Sequence, residues 1–136
     1  MALFILRVWL GLTLLINHGV GKLTDFGHLK GDFPDPLHVG HTGSLALVVF
    51  AEVVASVLLA LGLLTRFAAL VLCINMAVAF FVVHKHSLSG SHSGELAFIY
   101  LSGYVALFLA GAGKASMDQM LFGGGGGGKA KEPAGK

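Results

Sequence analysis

Four apolar runs divide the chain, at about 3–23, 44–64, 67–83 and 95–112. Each holds about 17–21 residues, or roughly 25–32 Å at 1.5 Å per residue, which matches the hydrocarbon core of a bilayer. The pattern predicts an all-α fold: a polytopic membrane four-helix bundle with short loops. A turn-rich loop over 24–43, carrying Pro34 and Pro36, separates the first two runs. Thr65 and Arg66 alone separate the second from the third, so these helices are expected to be antiparallel neighbours. A Ser/Gly/His loop over 87–94 precedes the fourth run, with Ser93 as its expected N-cap and Glu95 near its positive end. Residues 1–122 form the expected domain. The remainder, 123–136, begins with six glycines and ends in a Lys-rich stretch, which reads as a flexible C-terminal tail.

Within the runs, small and polar residues recur at helical spacing. Arg7, Gly11, His18 and Lys22 share a face of the first helix. Glu52, Ser56 and Ala60 follow one another at i+4 on the second. Ala68, Asn75, Ala79 and His86 share a face of the third, and Glu95, Ser102, Ala106 and Gly113 a face of the fourth. Small residues let membrane helices approach closely, so these stripes are expected to point inward, with bulky Leu, Val, Phe and Ile toward lipid. Tyr100 and Tyr104 fall opposite Glu95 by this count. They are expected on the outer face, against lipid or as a partner interface where acceptors satisfy their hydroxyls.

Composition agrees with the pattern. The chain is 55% hydrophobic and 12% charged, half the charge of an ordinary soluble domain. The first run lacks a charged segment before it and a small-residue cleavage site after it, so it reads as an uncleaved helix rather than a signal peptide. Four spans place both termini on one side. Arg7, Arg66, Lys114, Lys129, Lys131 and Lys136 fall on that side; Lys22, Lys30 and Lys85 fall on the other. This bias predicts a multi-pass protein of a bacterial inner membrane with cytoplasmic N- and C-termini. All seven histidines then lie at the opposite edge: His18, His28, His38, His41, His84, His86 and His92.

An ionised acid inside the membrane must face the bundle, pair, or hold a proton, which singles out Glu52. One reading is structural: Glu52 pairs with His18, Lys22 or Asn75 and fixes the bundle. The other is a proton- or quinone-handling site built from His18, Lys22, Glu52, Asn75, His84 and Glu95. A quinone is a possible ligand; the residues establish no catalytic set and no bound cofactor. Imidazoles and acids are near one another in the loops, but helical HxxxH and HExxH patterns are absent, so a metal site is not expected. Cys73 is the single cysteine, which excludes an intrachain disulfide and CxxC chemistry. Gly111-Ala112-Gly113-Lys114 lacks the earlier glycine and following hydroxyl of a P-loop. Basic residues are dispersed, so nucleic acid is not an expected partner.

The order of short motifs carries a further signal. His18-Gly19-x-x-Lys22-Leu23 is followed by Glu52, by Leu61-Gly62-Leu63-Leu64-Thr65-Arg66, and by Met76-Ala77-x-Ala79 leading to His84. Then come Gly94-Glu95-Leu96-Ala97-x-x-Tyr100 and Gly111-x-Gly113-x-x-Ser116-Met117-Asp118. From Arg7 to Leu121 this series resembles the DoxX family. The resemblance implies a small four-helix membrane protein of a kind found in membrane redox systems, including quinone-linked ones. It implies as function an accessory subunit of a larger quinone-linked respiratory or photosynthetic electron-transport complex. The alternatives are a freestanding quinone-interacting oxidoreductase module and a membrane assembly factor.

Overall fold

The computed structural model describes residues 1–91 and 93–123; His92 and the expected tail beyond Gly123 lie outside the described residues. The described residues form helices and connecting turns. Three long helices, α1 (Ala2–Thr24), α3 (His41–Leu61) and α4 (Thr65–Val83), are long and apolar enough to cross a membrane. The fourth bundle helix, α5 (Glu95–Ala110), is apolar but shorter at 16 residues. Among the described residues there are also two short helices, α2 (Phe26–Leu29) in the first loop and α6 (Met117–Phe122) after the bundle. The bundle is the expected all-α membrane architecture, but neither short helix was expected.

Helix boundaries differ from the apolar runs where local backbone chemistry intervenes. The second helix starts at His41 and ends at Leu61, because Gly62 takes a left-handed conformation (φ 72°) and Leu64 follows it (φ 49°). The turn is therefore 62–64, and Thr65 and Arg66 begin α4 instead of forming the connection. The third helix ends at Val83, so His86 lies beyond it at positive φ and on the exposed surface, off the expected inner stripe.

Each long helix contains one wider turn. Residues Leu15–Gly19, Phe50–Ala55 and Val78–Val83 are π-helical. The first two surround His18 and Glu52. Such turns are rare and concentrate at functional sites.

Small residues bring the helices together. The Gly11 Cα faces the Ser56 carbonyl and Ala60 across the α1–α3 contact, and Gly19 meets the Glu52 backbone. Many bulky side chains point outward, Trp9 at 71% and Leu109 at 70% exposed, while Leu14, Leu45, Leu59 and Leu72 fill the core. Outward bulk and small residues where the backbones meet are what a bilayer, which gives no reward for burying leucine, selects.

The fourth helix reverses the expected face. Ser102 and Ala106 are exposed, as is Glu95, whereas Tyr100 and Tyr104 are buried with Ala97 and Leu107. The reason is complementarity. Helix α4 buries Ala68 and Ala69 fully in the same core that takes the Tyr100 and Tyr104 rings of α5. Both helices bury a mixture of sizes, Ala68, Ala69, Leu72, Met76 and Phe80 on α4 and Ala97, Tyr100, Tyr104 and Leu107 on α5, so the inward face follows the fit between them.

The end of the bundle holding the N-terminus is closed by the segment after α5. Buried Arg7 donates from Nη1 to the Ala112 carbonyl at 2.9 Å and from Nη2 to the Ala115 carbonyl. Asp118 accepts from the Leu64 and Thr65 amides at 2.7 and 2.9 Å, and its own amide donates to the Gly62 carbonyl. Its carboxylate thus takes up amides at the start of α4 that the helix itself cannot satisfy. Burial opposes ionisation of Asp118, but the bonds from Thr65 and Leu64 and the nearby Arg7 charge outweigh it and hold its pKa below the usual carboxylate value.

Candidate functional site

The candidate site occupies the opposite half of the bundle. Helices α3 and α4 pack together from the π-helical turn of α3 toward the 62–64 connection, and the packing thins toward the loop end. A cavity of about 610 Å³ fills the resulting wedge, walled by α1, α3, α4, α5 and the first loop. Its surface is largely apolar. Five of the six residues expected to form a buried polar site line it: His18, Lys22, Glu52, Asn75 and His84. Glu95 does not; it is exposed at the start of α5.

Glu52 lies eleven residues into α3, roughly 16 Å along the helix. It is 5% exposed and faces inward. Lys22, near the end of α1, reaches it with Nζ 2.6 Å from Oε2. The pairing expected for Glu52 is present, with Lys22 as the partner. A carboxylate this well buried is tolerated in a membrane only when its charge is compensated. Gly19 makes the pairing reachable, since a Cβ there would fall 2.5 Å from the Glu52 carbonyl oxygen and force α1 away.

Tyr100 completes the polar wall. Its ring meets His18 edge-on, with centroids 6.5 Å apart, and stacks on Tyr104 at 5.9 Å. Tyr104 is fully buried and its hydroxyl donates to the Leu10 carbonyl at 3.4 Å. The expectation that both tyrosines form a partner interface is therefore corrected: Tyr104 satisfies its hydroxyl within the chain, and Tyr100 lines the cavity. Tyr100 was legible only as the last member of the Gly94–Tyr100 motif, because spacing alone assigned it to the outer face.

The first loop roofs the cavity with Phe33, Pro34, Pro36 and Leu37. Asp35 shapes it. Its carboxylate accepts from the Ser44 hydroxyl at 2.5 Å and from the Gly40 and Val39 amides at 2.8 and 3.0 Å. The Ser44 bond, followed by those amides and the His38 charge, holds the Asp35 pKa below its ordinary value against a smaller opposing effect of desolvation. No sequence signal had marked this loop as part of the site.

An apolar chamber within a membrane bundle, with one compensated ion pair and a few other polar groups, can hold a lipophilic molecule with a compact polar head. The chain is a DoxX protein: the DoxX family model matches residues 2–85. It is also 31% identical over 118 residues to a Haemophilus influenzae (strain ATCC 51907 / DSM 11121 / KW20 / Rd) protein described as "Uncharacterized protein", covering 80% of this chain and 83% of that one. No solved structure matches the chain.

Proposed function

We propose that this chain is a quinone-interacting accessory subunit of a larger membrane redox assembly, respiratory or photosynthetic. The observation that carries the reading is the cavity at the α3–α4 wedge, with apolar walls and polar groups gathered around Glu52. That combination suits a small polar head on a long hydrocarbon tail. The chain has one cysteine and lacks a CxxCH motif. Electrons for a quinone would therefore come from a separate protein, which favours a subunit over a freestanding oxidoreductase. The reading places the protein in a bacterial inner membrane with cytoplasmic termini. Arg7, Arg66 and Lys114 at the end of the bundle closed by α6 support that orientation.

Purification from the native membrane in nanodiscs tests the proposal, with quinone extraction and mass spectrometry of accompanying proteins. Bound quinone together with a stoichiometric redox partner is the expected result. Bound quinone and quinone-dependent activity without a partner would replace the subunit by a freestanding module. Transient partners and no quinone would favour an assembly factor.

A further inference from the structure

The polar groups of the cavity are unequally engaged. Lys22 and Glu52 satisfy each other, so their charges cancel and the cavity offers no net fixed charge from this pair. Among the described residues, the Tyr100 hydroxyl and the Asn75 side-chain amide have no hydrogen-bond partner, and both residues line the cavity. Tyr100 is 6% exposed. A donor in such a setting gains most from an acceptor that arrives with the ligand, since an unmade bond in an apolar site leaves the group's desolvation uncompensated.

The walls give the direction of the rest of the ligand. Leu47 on α3 and Ile74 on α4 both line the cavity and are 53% and 56% exposed. The cavity surface therefore continues between these helices onto the face that meets lipid. The loop above is pinned by Asp35 to Ser44, Gly40 and Val39, so the side gap is the route that leaves this roof in place.

We propose that Tyr100 and Asn75 donate hydrogen bonds to the carbonyl head of a neutral, bilayer-dissolved amphiphile whose apolar tail leaves between Leu47 and Ile74. This inference rests on the quinone reading and adds which residues hold the head and how the molecule enters. A neutral head is selected because the cavity's buried carboxylate already has its cation.

The test is equilibrium binding to the chain in phospholipid nanodiscs, using a long-tailed prenyl quinone, the same quinone without its tail, and an ionised fatty acid. Tyr100→Phe and Asn75→Ala are each expected to weaken the tailed quinone by about tenfold, the weight of one hydrogen bond made away from water. Tyr104→Phe is expected to lower thermal stability and leave affinity unchanged. The tail-less quinone and the fatty acid should both bind more weakly than the tailed quinone. Leu47→Trp combined with Ile74→Trp should slow association without changing helical content.

If the wild-type chain binds the tailed quinone and both Tyr100→Phe and Asn75→Ala bind it equally well, the head-group assignment is wrong and the quinone reading survives. Equal binding of the tail-less quinone, or unchanged association in the double tryptophan variant, overturns the lateral exit. Fatty acid binding as tight as the quinone overturns the neutral head. If the wild-type chain binds no quinone, the function reading fails and the inference fails with it.

Discussion

Lys22 Nζ and Glu52 Oε2 stand 2.6 Å apart, joining the end of α1 to the middle of α3 across the floor of the cavity. The two side chains are unequally covered, with 24% of the lysine and 7% of the glutamate exposed. Removing the lysine therefore strands the more buried charge. Lys22→Met is expected to destabilise the bundle toward the low end of the roughly 3–5 kcal/mol seen when a buried pair loses one member. The double variant Lys22→Met, Glu52→Leu should recover most of that loss, because no unpaired charge remains. Thermal unfolding of the four proteins of this cycle in one detergent provides the measurement. A double variant as unstable as Lys22→Met alone would contradict the pairing.

The Asp118 carboxylate caps the start of α4 and has a lowered pKa. A lowered folded-state pKa means that its stabilising effect is complete above the unfolded value, about 3.9. The effect is lost as pH falls from there through the lower folded value. Stability should accordingly be level at neutral pH and fall on the acid side of about pH 4. Asp118→Asn should cost about 1.5 kcal/mol at pH 7, the scale of a bond to a charged acceptor. Its melting temperature should then depend less on acid. Melting curves of both proteins between pH 3 and 7 check this.

Two glycines four residues or fewer from the site should respond oppositely to alanine. Gly19→Ala would drive a methyl into the Glu52 backbone, so α1 and α3 must part, at a cost of about 1–3 kcal/mol for overpacking. At Gly21 nothing lies within 4 Å of an added Cβ. There alanine should stabilise the helix, by up to about 1 kcal/mol from propensity. Paired unfolding measurements decide between these signs.

Orientation is checked with single cysteines in a Cys73→Ala background. Gly40→Cys in the first loop should label from outside the inner membrane, and Lys114→Cys only after the cytoplasmic face is opened. Labelling of the loop solely from the cytoplasmic face would reverse the assignment.

How far the chain could be read without coordinates varied by helix. For α1 and α3, the stripes through Arg7, Gly11 and His18 and through Glu52 and Ser56 pointed inward as the 3.6-residue period required. Glu52 had few options, because hydrocarbon penalises an uncompensated carboxylate whatever the surrounding fold. On α5 the same counting failed. Small-residue preference describes a pair of helices, and the core mixes Ala68 and Ala69 of α4 with Tyr100 and Tyr104 of α5. Which face each helix turns inward is not written in either helix alone.

The sequence by itself determined the membrane class, the four bundle helices and the need to compensate Glu52, because hydrophobic length and charge burial depend on local composition. Tertiary structure alone decided that Lys22 is the partner, that Tyr100 faces the cavity while Glu95 stays outside, and that Arg7 and Asp118 close the far end. Those are relationships between residues 30 to more than 100 positions apart. They arise only when close backbone approach at Gly11 and Gly19, the π-helical turns and the divergence of α3 from α4 set which side chains meet.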